Sequence, residues 1–126
     1  MPCPRIVLTV DVEEWFHVCG HPEYDVPERW DSFPSRVVPA TESILDLLER
    51  TSSRATFFVL GWVARRHPAL VRRIAEEGHE VGCHGDLHRR ANTLSVEEFR
   101  ADLRAARAAL EDAGGAPARA YRAPEW

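Results

Sequence analysis

Short continuous apolar runs alternate along this chain with longer stretches of helical spacing. Ile6, Val7, Leu8 and Val10 make a nearly unbroken run closed by Asp11. A run of this kind predicts a strand buried on both faces, as in parallel sheets. Residues 55–60, with Phe57, Phe58, Val59 and Leu60, predict a second strand, and residues 80–83, around Val81, a short third. Residues 119–123 predict a fourth, closed by Pro124. Between these runs the apolar period lengthens. Thr41 can cap a helix through Arg50, with Ile44, Leu45 and Leu48 on one face. Pro68 opens a second helix carrying Leu70, Val71 and Ile74, and Gly78 suits its C-terminus. Ser95 and Glu98 form a capping box ahead of Phe99, Leu103, Ala106 and Leu110, and Gly114 and Gly115 end that helix. Residues 15–39 follow neither period. Trp15, Phe16, Trp30 and Phe33 lie there among Pro22, Pro27, Pro34 and Pro39, which predicts a long loop of the kind that often carries function.

The order strand, loop, helix, strand, helix, strand, helix, strand predicts an α/β fold with a parallel sheet. A last strand with no helix after it would leave an open edge. The chain, residues 1–126, is therefore expected to be the N-terminal part of a single larger domain, truncated at its C-terminus. Composition narrows the picture further. The chain is 44% hydrophobic and 29% charged, an ordinary globular balance for one domain. A net charge of -4 argues against a nucleic-acid partner bound through phosphates. No apolar run approaches a membrane span, and the N-terminus has no signal-peptide pattern. Cys3, Cys19 and Cys83 have no paired spacing, which fits a reducing compartment and predicts a cytoplasmic location.

The chemistry concentrates in two stretches. His84 and His88 stand four apart directly after the third predicted strand, the position where α/β proteins place ligand sites. Gly82 and Gly85 let the backbone bend closely around an ion. Imidazole is the commonest protein metal ligand, but two histidines do not complete a site. The best third donor lies upstream in Asp11, Glu13 and Glu14. In an extended chain Asp11 and Glu13 point to one side and Glu14 to the other. Two histidines and one carboxylate with open positions suit Zn²⁺ or another divalent ion that activates water. Arg122 is a charge within a predicted buried strand and needs a carboxylate, for which Asp11 or Glu14 is available. His67 and His79, at helix ends, read as structural. His17 and His21 read as exposed loop residues, and Cys83 as a small buried apolar one. Trp15, Trp62 and Trp126 follow predicted strands and read as core, with stacking on sugar rings the alternative.

The segments 9–13, 55–58, 78–82, 84–88 and 121–124 together resemble the polysaccharide deacetylases, the carbohydrate esterase family 4 or NodB-homology domain. The order and spacing of these segments, covering nearly the whole chain, carry the resemblance. Asp11-Val12-Glu13-Glu14-Trp15-Phe16 with Arg122-Ala123-Pro124-Glu125-Trp126 looks most like the subgroup tied to exosortase-type exopolysaccharide clusters. The resemblance implies a distorted (β/α) barrel, of which this chain supplies about the first four strands. It implies Asp11 as catalytic base, Arg122 as the residue orienting it, and His84 and His88 as metal ligands. The commonest family pattern has two adjacent aspartates. Val12 holds the second place here, so Glu13 becomes the third ligand, with Glu14 the alternative. The implied activity is metal-dependent removal of N-acetyl groups from N-acetylhexosamine units of a polysaccharide. The general-acid histidine of the family is expected beyond Trp126, so residues 1–126 alone are expected to be inactive. The rival reading is a non-catalytic carbohydrate-binding or scaffolding domain that keeps the fold.

Overall fold

The computed structural model of the protein describes residues 5–125. Cys3 and Trp126 lie outside the described residues. Three parallel strands, β1 (Thr9–Val12), β2 (Thr56–Val59) and β3 (Glu80–Cys83), form a sheet in sequence order. Helix α1 (Val37–Arg50) joins β1 to β2. Helices α2 (Gly61–Arg66) and α3 (Pro68–Glu76) join β2 to β3, and α4 (Val96–Gly114) follows β3. The architecture is the α/β one predicted. Its core is the apolar set of β2, with Phe57 and Val59 fully buried, packed with Leu45, Val63, Val71, Ile74, Ala106 and Leu110 from the helices.

Several boundaries differ from the sequence reading, each for a physical reason. The first strand begins at Thr9 and includes Asp11, whereas Ile6 and Val7 are 82% and 78% exposed. Thr9 already pairs with Thr56, the first residue of β2, and ahead of that pair the Thr56 N–H donates to the Leu8 carbonyl at 3.0 Å. Helix α1 starts at Val37 rather than after Thr41, and takes Pro39 into its first turn. Proline is tolerated there because first-turn N–H groups have no partner within the helix. Thr41 is a buried residue of that helix, not its cap. Helix α2 was not predicted. Its six residues are too few to show a helical period, and two of them, Arg65 and Arg66, are charged. The expected fourth strand narrows to a single parallel bridge between Cys83 and Tyr121. There the Cys83 N–H donates to Ala120 at 2.8 Å and the Arg122 N–H to Cys83 at 2.9 Å. The start of α3 at Pro68 and the capping box of Ser95 and Glu98 on α4 are as predicted, and Gly115 closes α4 at φ 75°.

The loop between β1 and α1 is not irregular throughout. Pro27–Ser32 is a 3-10 helix that buries Trp30. Phe16 packs at centroid distances of 5.2 Å from Phe33, 5.9 Å from Trp62 and 6.2 Å from Trp30. This loop thus carries its own aromatic core on top of the sheet end.

Gly61, the first residue of α2, lies against α4. A methyl group there would stand 2.8 Å from the Ala106 Cα and 3.2 Å from the Asp86 carboxyl carbon. Gly61→Ala is therefore expected to lower stability by about 1–3 kcal/mol, the usual cost of overpacking, read as a shifted urea midpoint with an unchanged slope.

Candidate metal centre

Register builds the site. Val12 pairs with Val59 and Val59 with Cys83, so Glu13, Leu60 and His84 leave the sheet together at one end. The loop after β3 is docked on the N-terminus of α2, where the Gly61 N–H donates to Gly85 at 2.9 Å and the Trp62 N–H to Asp86 at 3.1 Å. Arg65, further along the same helix, pairs with Asp86 at 2.6 Å and adds a second hold on the loop.

Glu13, His84 and His88 converge there, with ligand atoms all within 4.8 Å of one another. The Glu13 Oε2 stands 2.5 Å from the His88 Nε2 and 3.3 Å from the His84 Nε2. His84 and His88 are buried. The His84 Nδ1 lies 2.9 Å from the Arg122 carbonyl, which can only accept, so that nitrogen carries the proton and Nε2 presents a lone pair. Glu13 Oε2 is buried and has no hydrogen-bond donor. Electron pairs crowded in this way repel unless a cation or shared protons lie between them. Two nitrogens and one oxygen match the donor set that holds a catalytic divalent ion with positions left open. The residues present therefore fit such an ion.

Glu14 is not part of this set. It is buried, and its carboxylate accepts from the Ser35 hydroxyl and, at 2.9 Å, from the Arg36 N–H at the N-terminus of α1. A carboxylate there meets the positive end of the helix. The alternation of the extended chain thus sends Glu13 to the site and Glu14 to the helix. Asp11 pairs with Arg122, Nη1 to Oδ1 at 2.9 Å, and the second Nη of Arg122 donates to Thr9 at 2.9 Å. Of the two partners open to Arg122, Asp11 is the one it meets. Its guanidinium lies 4.3 Å from the centre of the Phe58 ring. That ring occupies the space a side chain at residue 82 would need, since a Cβ on Gly82 would come within 2.8 Å of it.

His17 departs from the exposed position expected of it. It is 4% exposed, with Trp30 at 4.3 Å and Trp62 at 5.1 Å, and its ring is stacked 6.0 Å from His88. Its Nδ1 accepts the Glu14 N–H at 2.9 Å, and its buried Nε2 has no partner. Burial pulls its pKa down to about 3. The signal available in the sequence was its position between Phe16 and Trp30 in an aromatic loop. His21 is exposed as expected, and Cys83 and His79 are buried as structural residues. The His79 Nδ1 accepts the Ala55 N–H at 3.3 Å. Trp15 is 40% exposed rather than core, held by its indole N–H on the Pro34 carbonyl at 2.9 Å. Trp62 lies in α2 and packs on Phe16 and Trp30.

The sequence profile of the family described as polysaccharide deacetylase matches residues 25–125. The chain belongs to the polysaccharide deacetylase family. It is 38% identical over 89 residues to a peptidoglycan-N-acetylglucosamine deacetylase of Listeria monocytogenes, a match covering 70% of this chain and 19% of that protein. Its fold is similar to a family 4 carbohydrate esterase of Streptomyces lividans in complex with acetate. The TM-score is 0.72 at 25% identity, over 94% of this chain and 50% of that one. It is also similar to a family pseudoenzyme of Bacillus anthracis, TM-score 0.68 at 26% identity, over 94% and 34% of the two chains. The chain spans about a third or less of the first curated relatives it matches, 30% and 19% of their lengths. No helix among the described residues is long and apolar enough to cross a membrane.

Two outcomes separate the neighbouring glutamates. Glu14→Gln should cost about 1–3 kcal/mol of stability, because a buried acceptor of two donors loses its charge, and should leave Zn²⁺ affinity unchanged. Glu13→Gln should do the reverse, and calorimetry of unfolding and of Zn²⁺ binding reads both.

Proposed function

We propose that the protein is a metal-dependent hydrolase that removes N-acetyl groups from N-acetylhexosamine units of a polysaccharide. The observation that carries this reading is the buried, donorless Glu13 Oε2 facing two imidazoles. Membership of the polysaccharide deacetylase family supports the reaction class. The substrate in the name of the Listeria relative supports the sugar class.

Glu13, His84 and His88 would hold the ion, for which Zn²⁺ is our choice. It would supply a Lewis acid for the acetamide carbonyl and lower the pKa of a bound water. Asp11 serves as general base and takes the proton of the attacking water. Arg122 holds that carboxylate in place and aimed, through a bond at 2.9 Å. Its carbonyl also holds the His84 Nδ1–H, so that one residue sets both the base and a ligand. The substrate polymer we favour is an exopolysaccharide or a peptidoglycan-like chain. Exopolysaccharide biosynthesis rests on the run of residues 11–16, taken with the segment from Arg122. The thiols Cys19 and Cys83, unpaired in the fold, suit a reducing compartment such as the cytoplasm.

The test is acetate release from an N-acetylglucosamine oligomer. Chelation should abolish it and Zn²⁺ restore it. Asp11→Asn should lower the rate about 10²–10⁴-fold, the usual worth of a general base, while keeping Zn²⁺ affinity. His84→Ala should lose both. Activity indifferent to chelation would overturn the metal reading.

A further inference from the structure

We propose that Cys19 is a positioning residue for His88, gripping this ligand by its ring and by its backbone at once. The inference rests on the metal-site reading given above. The Cys19 Sγ lies 3.4 Å from the His88 Nδ1 and 2.9 Å from the His88 carbonyl. A carbonyl only accepts, so the thiol hydrogen points to it. The sulfur lone pairs then face the ring, and the Nδ1–H donates to them. This tautomer leaves the His88 Nε2 as the lone-pair nitrogen facing Glu13. His84 reaches the same state through the Arg122 carbonyl. A metal-ligating histidine regularly has its other nitrogen fixed in this manner.

The backbone contact has its own reason. His88 sits at φ 53°, in the left-handed region that a residue with a side chain seldom adopts. The thiol bond to its carbonyl holds that conformation. Cys19 is itself anchored, because its N–H donates to Glu125 at 3.0 Å and Glu125 accepts from the Arg90 Nε at 2.8 Å. Cys19, His88 and Glu125 lie close enough to suggest a second ion site. The Glu125 carboxylate is already neutralised by Arg90, however, and the sulfur and the His88 Nδ1 already face each other. The cluster therefore reads as support for the ligand rather than as a separate cation site.

The experiment compares wild type, Cys19→Ser and Cys19→Ala in two measurements. The first is the His88 tautomer in the metal-free protein, from long-range proton–nitrogen correlation spectra assigned with His88→Ala. Wild type and Cys19→Ser, whose hydroxyl can also donate and accept, should show the proton on Nδ1. Cys19→Ala should lose that preference. The second is Zn²⁺ affinity, expected to fall about 10–100-fold in Cys19→Ala and to recover in Cys19→Ser. The Co²⁺-loaded wild type should show no thiolate-to-metal charge-transfer band. Unchanged tautomer and affinity in Cys19→Ala would overturn the proposal. Equal loss in both variants would reduce Cys19 to packing, and a charge-transfer band would make it a ligand instead. Wild-type protein that binds no Zn²⁺ defeats the metal reading, whereas the tautomer comparison, made without metal, decides the Cys19 contact separately.

Discussion

The site depends on the parallel register of three short strands. Parallel strands all point the same way, so their C-terminal ends share one edge of the sheet. Val12, Val59 and Cys83 are the last residues of the three strands, and they stand side by side. A carboxylate and an imidazole separated by 71 positions, Glu13 and His84, are thereby delivered to one place without either loop having to search for it. A slip of one residue in β1 would turn Glu13 away and Glu14 inward. The buried Val12 and Val59 oppose that slip, because their apolar side chains belong to the core.

The second level of order passes through Arg122. Its backbone closes the bridge to Cys83 and receives the His84 ring, and its side chain crosses the Phe58 face to Asp11. The crossing depends on a glycine. With no side chain at Gly82, the Phe58 ring settles over β3, and the guanidinium lies on that ring. A flat cation over an aromatic face gains attraction without losing its in-plane hydrogen bonds, which are the bonds used for Asp11 and Thr9.

Much of this was legible in the sequence because local rules govern it. The two histidines after a strand, the side-to-side alternation of Asp11, Glu13 and Glu14, Pro68 at a helix start and the Ser95 capping box are all read within a few residues. What escaped depends on distant partners. Ile6, Val7 and Leu8 have the apolar character of a strand, yet β2 begins only opposite Thr9. His17 has the context of a loop, but Trp30 and Trp62, 13 and 45 positions away, enclose it. The start of α1 was missed because its anchor, Glu14, lies more than 20 positions upstream of Arg36.

That anchor explains why two neighbouring glutamates are not interchangeable. A carboxylate buried without donors is costly, and each of these has a different remedy. Glu14 has two donors and the positive end of α1, so it is content as an anion with no ion nearby. Glu13 has only nitrogens whose protons are drawn to their far sides, one by the Arg122 carbonyl and one by the Cys19 sulfur. On the proposed reading, one acid is satisfied within the protein and its neighbour is satisfied by a cation. The helix that Glu14 secures and the aromatic loop that precedes it lie beside Glu13. The structural carboxylate thus supports the site by holding its wall.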